Sequence, residues 1–266
     1  MRRFYRATDG DPRLYNASTI PGWVHVSNQW LASGSVNEIV TEVAAHARRL
    51  GLSAAVSVNV GEGLSLSVRS REIETLEHHQ DKTLSVTVYA GTQKGSATTT
   101  DFSSASLEEI VTAAARIARF TEVDRHAGLI EPEYLARDIP PLDLDHPWSI
   151  TVEDATEMAL ACEEAALTYA REVAQVDEAG VSLYRGLHAY ADTQGFAASY
   201  TATRHGVNCI VVGARGGAMQ RGYWYSTARH ADELEDPVSI GRRASERAVA
   251  KLGARKLRTR KAPVLF

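Results

Sequence analysis

Several things are scarce in this chain of 266 residues, and each scarcity excludes a class of protein. Two cysteines, Cys162 and Cys209, cannot build a disulfide framework. Cys162 falls in a helical pattern and Cys209 in a strand-like run, so both read as small buried apolar residues of a protein kept reduced. No segment approaches the ~18 consecutive apolar residues that a membrane-spanning helix requires. The opening Met1-Arg2-Arg3 is followed by Arg6, Asp9, Asp11 and Arg13, which leaves no apolar stretch for a secretory signal. The expected location is therefore cytoplasmic. Positive charge is not in surplus either: 29 Lys and Arg face 33 Asp and Glu. A dedicated nucleic-acid binder needs excess cations to displace counterions from phosphates, so neither nucleic acid nor a membrane is an expected partner.

Catalytic signatures are equally short. A zinc peptidase needs two imidazoles on one helix face, with a Glu beside one of them as general base. None of the nine histidines is followed by Glu. The closest cluster, His78-His79 near Asp81, reads as a strand end with adjacent rings on opposite faces, and His230 with Glu233 reads as a surface pair. There is no Gly-x-Ser-x-Gly elbow. Gly213-Ala214-Arg215-Gly216-Gly217 lacks the lysine of a phosphate loop and lies between two strand patterns. It reads as a hairpin turn whose glycines take positive φ. No catalytic or metal-ligating residue is assigned to this chain.

What is present is a regular alternation of periods. Ser35-Val36-Asn37-Glu38 reads as a capping box ahead of Ile39, Val43, Ala47 and Leu50. Period-two strands follow from Ala54, with turns expected at Gly61-Glu62-Gly63, at Gln80-Asp81-Lys82 and from Gly91 to Gly95. A second capping box, Ser106 to Glu109, opens a helix. A Pro-rich connector from Glu131-Pro132 to His146-Pro147 is the best domain boundary. Beyond it, Thr151 to Asp154 caps a helix expected to end near Glu172. Strand patterns then occupy 173–190, 196–204, 208–212 and 220–229, and Asp236-Pro237 restarts helix. The order helix, meander, helix thus occurs twice, with no sequence repeat beneath it. The fold class this implies is α+β, as two successive α/β layers, each a mostly antiparallel sheet flanked by helices. The expected domains are an irregular extension over 1–34, a first domain over 35–147 and a central domain over 148–260. Residues 261–266 read as an apolar strand that begins a further, C-terminal domain missing from this chain.

Two stretches could meet partners. Lys251 to Lys261 carries Arg255, Lys256, Arg258 and Arg260 and reads as a solvated helix end, where cations are favoured. Tyr223-Trp224-Tyr225 places aromatics on both faces of a strand. Core packing is the plain reading and a peptide-binding edge the alternative, which makes Tyr223, Trp224 and Tyr225 the candidate substrate-binding residues.

Gly95 to Ser103, Ala115 to Thr121 with Asp124 and Ala127 to Leu129, Leu142 to Pro147, Gln220 to Thr227, and Arg255 to Leu257 with Lys261 to Phe266 are modest signals singly. In their order and spacing they resemble the TldD/PmbA family of bacterial and archaeal metallopeptidases, in its PmbA (TldE) branch. The resemblance implies a cytoplasmic heterodimer. Its TldD-type subunit carries the zinc motif, and its PmbA-type subunit lacks that motif and completes a chamber for extended or unfolded peptides. It therefore implies no cofactor in this chain and zinc in the partner. The expected function is a subunit, inactive alone, of a two-component metallopeptidase that trims or degrades peptides and unfolded proteins. The alternatives are a peptide-binding module without a proteolytic role and a truncated product without function.

Overall fold

The computed structural model describes Tyr5–Arg6 and residues 33–265. The extension expected over 1–34 lies outside the described residues except at Tyr5, Arg6, Ser33 and Gly34. A two-residue strand, β1 (Tyr5–Arg6), precedes a first half made of α1 (Ser33–Arg49), β2 (Ser53–Arg69), β3 (Glu72–Ala90), β4 (Gln93–Thr99) and α2 (Ser104–Ala118). The second half repeats that order in α3 (Val152–Leu167), β5 (Val173–Asp192), β6 (Ala197–Arg215), β7 (Ala218–Ala228) and α4 (Pro237–Lys251). The class is α+β, and the doubled helix–meander–helix order is what the chain builds.

Capping explains where two helices start. Thr151 Oγ1 accepts from the Asp154 amide at 3.0 Å while the Asp154 carboxylate accepts from the Thr151 amide at 3.3 Å, the reciprocal pair of a capping box. Asp236 caps α4 by accepting from the Ser239 amide at 3.0 Å, with Pro237 in the first turn. The other two boxes are displaced. α1 already runs from Ser33, so Ser35 lies inside its first turn. α2 starts at Ser104, anchored by Asp101, which accepts from the Ser103 amide and hydroxyl at 2.9 and 3.0 Å.

The strands are longer than the turn residues suggest. β2 and β3 run unbroken through the two expected turns, which instead face each other in register as Gly61↔Asp81, Glu62↔Gln80 and Gly63↔His79. The hairpin reverses at Ser70-Arg71, whose φ values are 54° and 65°. Left-handed backbone costs a non-glycine residue about 1–2 kcal/mol, and α3 holds this tip in place. The Arg71 amide donates to buried Glu163 at 2.9 Å and its guanidinium to Glu164 at 2.5 Å. Gly216-Gly217 does form the expected hairpin, with φ of 54° and 81° between the paired Arg215 and Ala218.

The two expected sheets are joined into one. All pairings among the described strands are antiparallel, in the order β1-β3-β2-β5-β6-β7, with β4 beside β3. β2 and β5, the first strands of the two halves, pair from Ala55↔Asp192 to Val68↔Ala179. Left apart, each would expose a long bare edge, which native sheets avoid.

All four long helices pack on one face of this sheet, over two hydrophobic clusters. α1 and α2 cover Val56, Val58, Leu84 and Val86; α3 and α4 cover Leu66, Val68, Val181 and Val207. Cys162 and Cys209 are free and buried together in the second cluster, as read from their patterns. The hydrogen bond between them and their burial push the Cys209 thiol up. Between the clusters runs a polar row, Gln80, Glu62, Arg185 and Thr203, in one register line across β3, β2, β5 and β6. Gln80 donates to Glu62 at 3.3 Å, and Arg185 grips Asp145 of the connector with two bonds of 2.7 and 2.6 Å. The Thr203 amide donates to the Leu144 carbonyl at 2.8 Å, and its hydroxyl accepts from the His146 amide at 3.0 Å. The connector is thereby strapped along the seam.

The echo between halves reaches single residues. A Cβ on Gly95 of β4 would overlap the α2 backbone at Ala114 and Ala118, and one on Gly222 of β7 would overlap the α4 backbone at Ala244 and Ala248. In each half the third strand thins to let the second helix approach. Gly222→Ala should therefore lever α4 outward, and overpacking of this kind costs ~1–3 kcal/mol. Urea denaturation should show it, with Gly253→Ala, which meets nothing within 4 Å, as a near-neutral reference. Equal midpoints for the two variants would refute the close approach.

Candidate functional site

The opposite face of the sheet is polar, and its geometry follows from the same register. Side chains two residues apart on a strand share a face, and neighbouring rows stand ~7 Å apart. One row carries Asn59, His188 and Tyr200 across β2, β5 and β6; the next carries Gly61, Gly186 and Ala202, with Asp81 of β3 opposite Gly61; the third carries Gly63, Tyr184 and Arg204, with His79 of β3 opposite Gly63. A row of minimal side chains thus lies between two rows of rings. The result is a trench of about 620 Å³, lined by no residue of α1–α4.

The glycines of the floor have a steric purpose. A Cβ on Gly61 or Gly186 would overlap the Tyr184 ring or hydroxyl, and one on Gly63 would overlap the His79 ring. Tyr184 therefore lies down over the middle row, stacked near His79 with centroids 6.1 Å apart and planes 14° apart. Burial and the charge of Asp81 raise its pKa, keeping the phenol neutral. On the far wall His188 Nδ1 meets Asn59 Oδ1 at 2.6 Å and its ring tilts against Tyr200 at 5.4 Å. Burial lowers the His188 pKa. The neutral ring then donates from Nδ1 to Asn59 and leaves Nε2 as an acceptor.

These residues do not fit a catalytic zinc. Among the described residues no group of three or more His, Cys, Asp or Glu is placed to hold a metal ion, and His79 and His188 stand on different walls. His78 and His79 do point to opposite faces, but from the middle of β3 rather than a strand end. His230 pairs with Asp232 rather than Glu233, its Nδ1 accepting from the Asp232 amide at 3.2 Å.

Two family profiles match this chain, the PmbA/TldA metallopeptidase domain 1 over residues 54–118 and the PmbA/TldA metallopeptidase central domain over residues 145–252. The metalloprotease PmbA homolog of Haemophilus influenzae is 36% identical over 220 residues, which is 83% of this chain and 49% of that protein. Metalloprotease PmbA of Escherichia coli O157:H7 is 36% identical over 213 residues, 80% of this chain and 47% of that protein. The chain belongs to the PmbA/TldD metallopeptidase family. It spans about half the length of the curated PmbA relatives it matches. The fold is shared with a crystal structure from Bacteroides thetaiotaomicron (TM-score 0.74, 22% identity, 83% of this chain and 51% of that one). It is also shared with TldE from Thermococcus kodakarensis (TM-score 0.59, 15% identity, 80% and 47%). The two PmbA/TldD profiles fall one on each half of the sheet, and the second begins at Asp145, the strap residue held by Arg185.

The sequence candidates on β7 separate. Trp224 faces the helices: it donates from Nε1 to Glu235 at 3.3 Å, and the guanidinium groups of Arg243 and Arg247 lie over its ring at 4.7 and 5.1 Å. Tyr223 and Tyr225 are exposed on the trench side with rings 6.4 Å apart, at an outer strand of the sheet, and neither lines the trench. Of the trench residues the sequence singles out His79 alone, and as a candidate metal ligand rather than a substrate contact. Glycines inside a period-two run are the signal that marks them, because such glycines flag a close approach as readily as a turn.

The histidines make stability pH-dependent. His78, His188 and His205 are all lowered from 6.5, chiefly by burial. The unfolded chain therefore binds more protons than the folded one below about pH 6.5, and stability falls as pH drops through that value toward the folded pKa values. The urea midpoint should be lower at pH 5.5 than at pH 7.5, a window above the titration of the depressed carboxylates. A midpoint unchanged between those pH values would contradict the burial of these rings.

Proposed function

We propose that this chain is the metal-lacking, PmbA/TldE-type component of a two-component cytoplasmic metallopeptidase. In this reading it receives an extended or unfolded peptide in the trench and presents it to a zinc site carried by a TldD-type partner. One conjunction supports the reading: a PmbA/TldD family chain whose histidines all lack a following Glu carries an uncovered trench of rings and hydroxyls. Zinc in the partner would supply the hydrolytic chemistry. The residues of this chain hold and orient the peptide, with the Tyr184 ring lying over Gly61 and Gly186 as the floor and His188 and Tyr200 as a wall. Among the described residues no helix is long and apolar enough to cross a membrane, which is compatible with work in the cytoplasm.

A second reading, a peptide-binding module without proteolytic role, is favoured by a different observation. Tyr223 and Tyr225 stack on the exposed side of β7, an outer strand able to take one more strand from a ligand. The two readings part on activity. The purified chain with added zinc should cleave no unfolded casein, and adding the TldD-type subunit of the same genome should produce cleavage that a chelator abolishes. Chelator-sensitive cleavage by the chain alone, or no cleavage by the pair, would sink the two-component reading; the second outcome leaves the binding module standing.

A further inference from the structure

β2, β5 and β6 are interior strands, so their amides and carbonyls are taken by neighbouring strands. A ligand in the trench meets side chains alone. A ligand at a sheet edge reads backbone and tolerates many sequences, whereas a trench of side chains must select. Three observations say what it selects. The Tyr184 ring lies on Gly61 and Gly186 with backbone behind it and is 39% exposed in front. A supported ring of that kind is a platform for a second ring, whose centroid settles ~4.5–7 Å away. The Tyr184 ring covers Gly61 and Gly186, and the space above it is bounded on the next row by the second ring pair, His188 with Tyr200. The wall carries an acceptor, His188 Nε2, with Asn59 fixing the other ring nitrogen at 2.6 Å.

We propose that the trench is a selectivity pocket for one aromatic side chain of an extended peptide, with Tyr184 as the stacking platform and His188 Nε2 accepting from a phenol or indole donor. The proposal rests on the reading of the trench as a peptide seat and adds which residue that seat prefers. An aliphatic side chain would leave both the platform and the acceptor unused.

The test is fluorescence anisotropy on the full chain with two fluorescein-labelled nonapeptides of Gly and Ser that differ only at the central residue, Tyr or Leu. The Tyr peptide should bind about five-fold tighter, as expected of a ring pair plus one hydrogen bond. Tyr184→Ala should bring the two within two-fold. Gly186→Ala, whose Cβ would push the Tyr184 hydroxyl aside while keeping the ring, should do the same. N-acetyl-tyrosinamide should compete on the unaltered chain and N-acetyl-leucinamide should not, which keeps the test decisive if a variant fails to fold. Equal binding of both peptides by the unaltered chain overturns this inference and leaves the peptide seat intact. A preference that survives both substitutions also overturns it, because the aromatic pocket then lies elsewhere. No binding of either peptide removes the inference and the seat together.

Discussion

Along the seam from Ala55↔Asp192 to Val68↔Ala179, the backbones of two strands that begin different halves of the chain hydrogen-bond to one another, and both faces of the sheet take their character from that register. On the helix side the pairing of Glu62 with Arg185 falls between the two hydrophobic clusters. On the open side the pairing of Gly61 with Gly186 falls beneath the Tyr184 ring of the trench. Side chains alternate with a period of two, so a slip of one residue would exchange the faces. It would drive glycines into the core and bring Glu62 and Arg185 out into the trench.

The polar row is best understood as the device that forbids such a slip. A buried ion pair contributes little net stability compared with apolar residues of the same volume, but removing one partner is costly because the other charge stays buried. Glu62 is 4% exposed, and its place beside Arg185 exists in one register only. Arg185 in turn grips Asp145, so the register also fixes where the connector crosses. Thr203 at the end of the row fixes the connector a second time, through Leu144 and His146. The seam, the connector and the separation of the two cores therefore depend on one line of four side chains.

Much of the local structure was legible in the sequence, because it is set by neighbours in the chain. The Thr151 box, the Gly216-Gly217 hairpin, the opposite faces of His78 and His79 and the doubled order of elements all arise from contacts within a few residues. The long strands were misread where local signals conflict with phase. Gly61-Glu62-Gly63 has turn composition, yet Val56, Val58, Val60, Leu64, Leu66 and Val68 keep a single even phase through it, broken only by Glu62. Unbroken phase was the stronger signal, since a true turn would reset it. The reversal at Ser70-Arg71 carries no glycine or asparagine and is held by α3 from 92 residues away, so no local reading could place it. The β2–β5 pairing is likewise long-range, and with it the trench.

The glycine row also bears on why the trench belongs to the joined halves. A glycine inside a strand weakens it by ~0.5–1 kcal/mol relative to alanine, and Gly61, Gly63 and Gly186 stand together at the seam on which the whole sheet depends. Core packing gives no reason for them, because they face away from the helices. The Tyr184 ring returns part of the lost contact by covering Gly61 and Gly186, but a larger residue at either position would give a stronger strand and a stiffer sheet without needing the ring. What those positions secure is a recess with a ring lying in it. Most of its lining comes from β5, β6 and β7, in the segment matching the central family domain, and β2 and β3 of the first-domain segment add Asn59, Ser65 and His79. The glycine row lies where the two segments are joined.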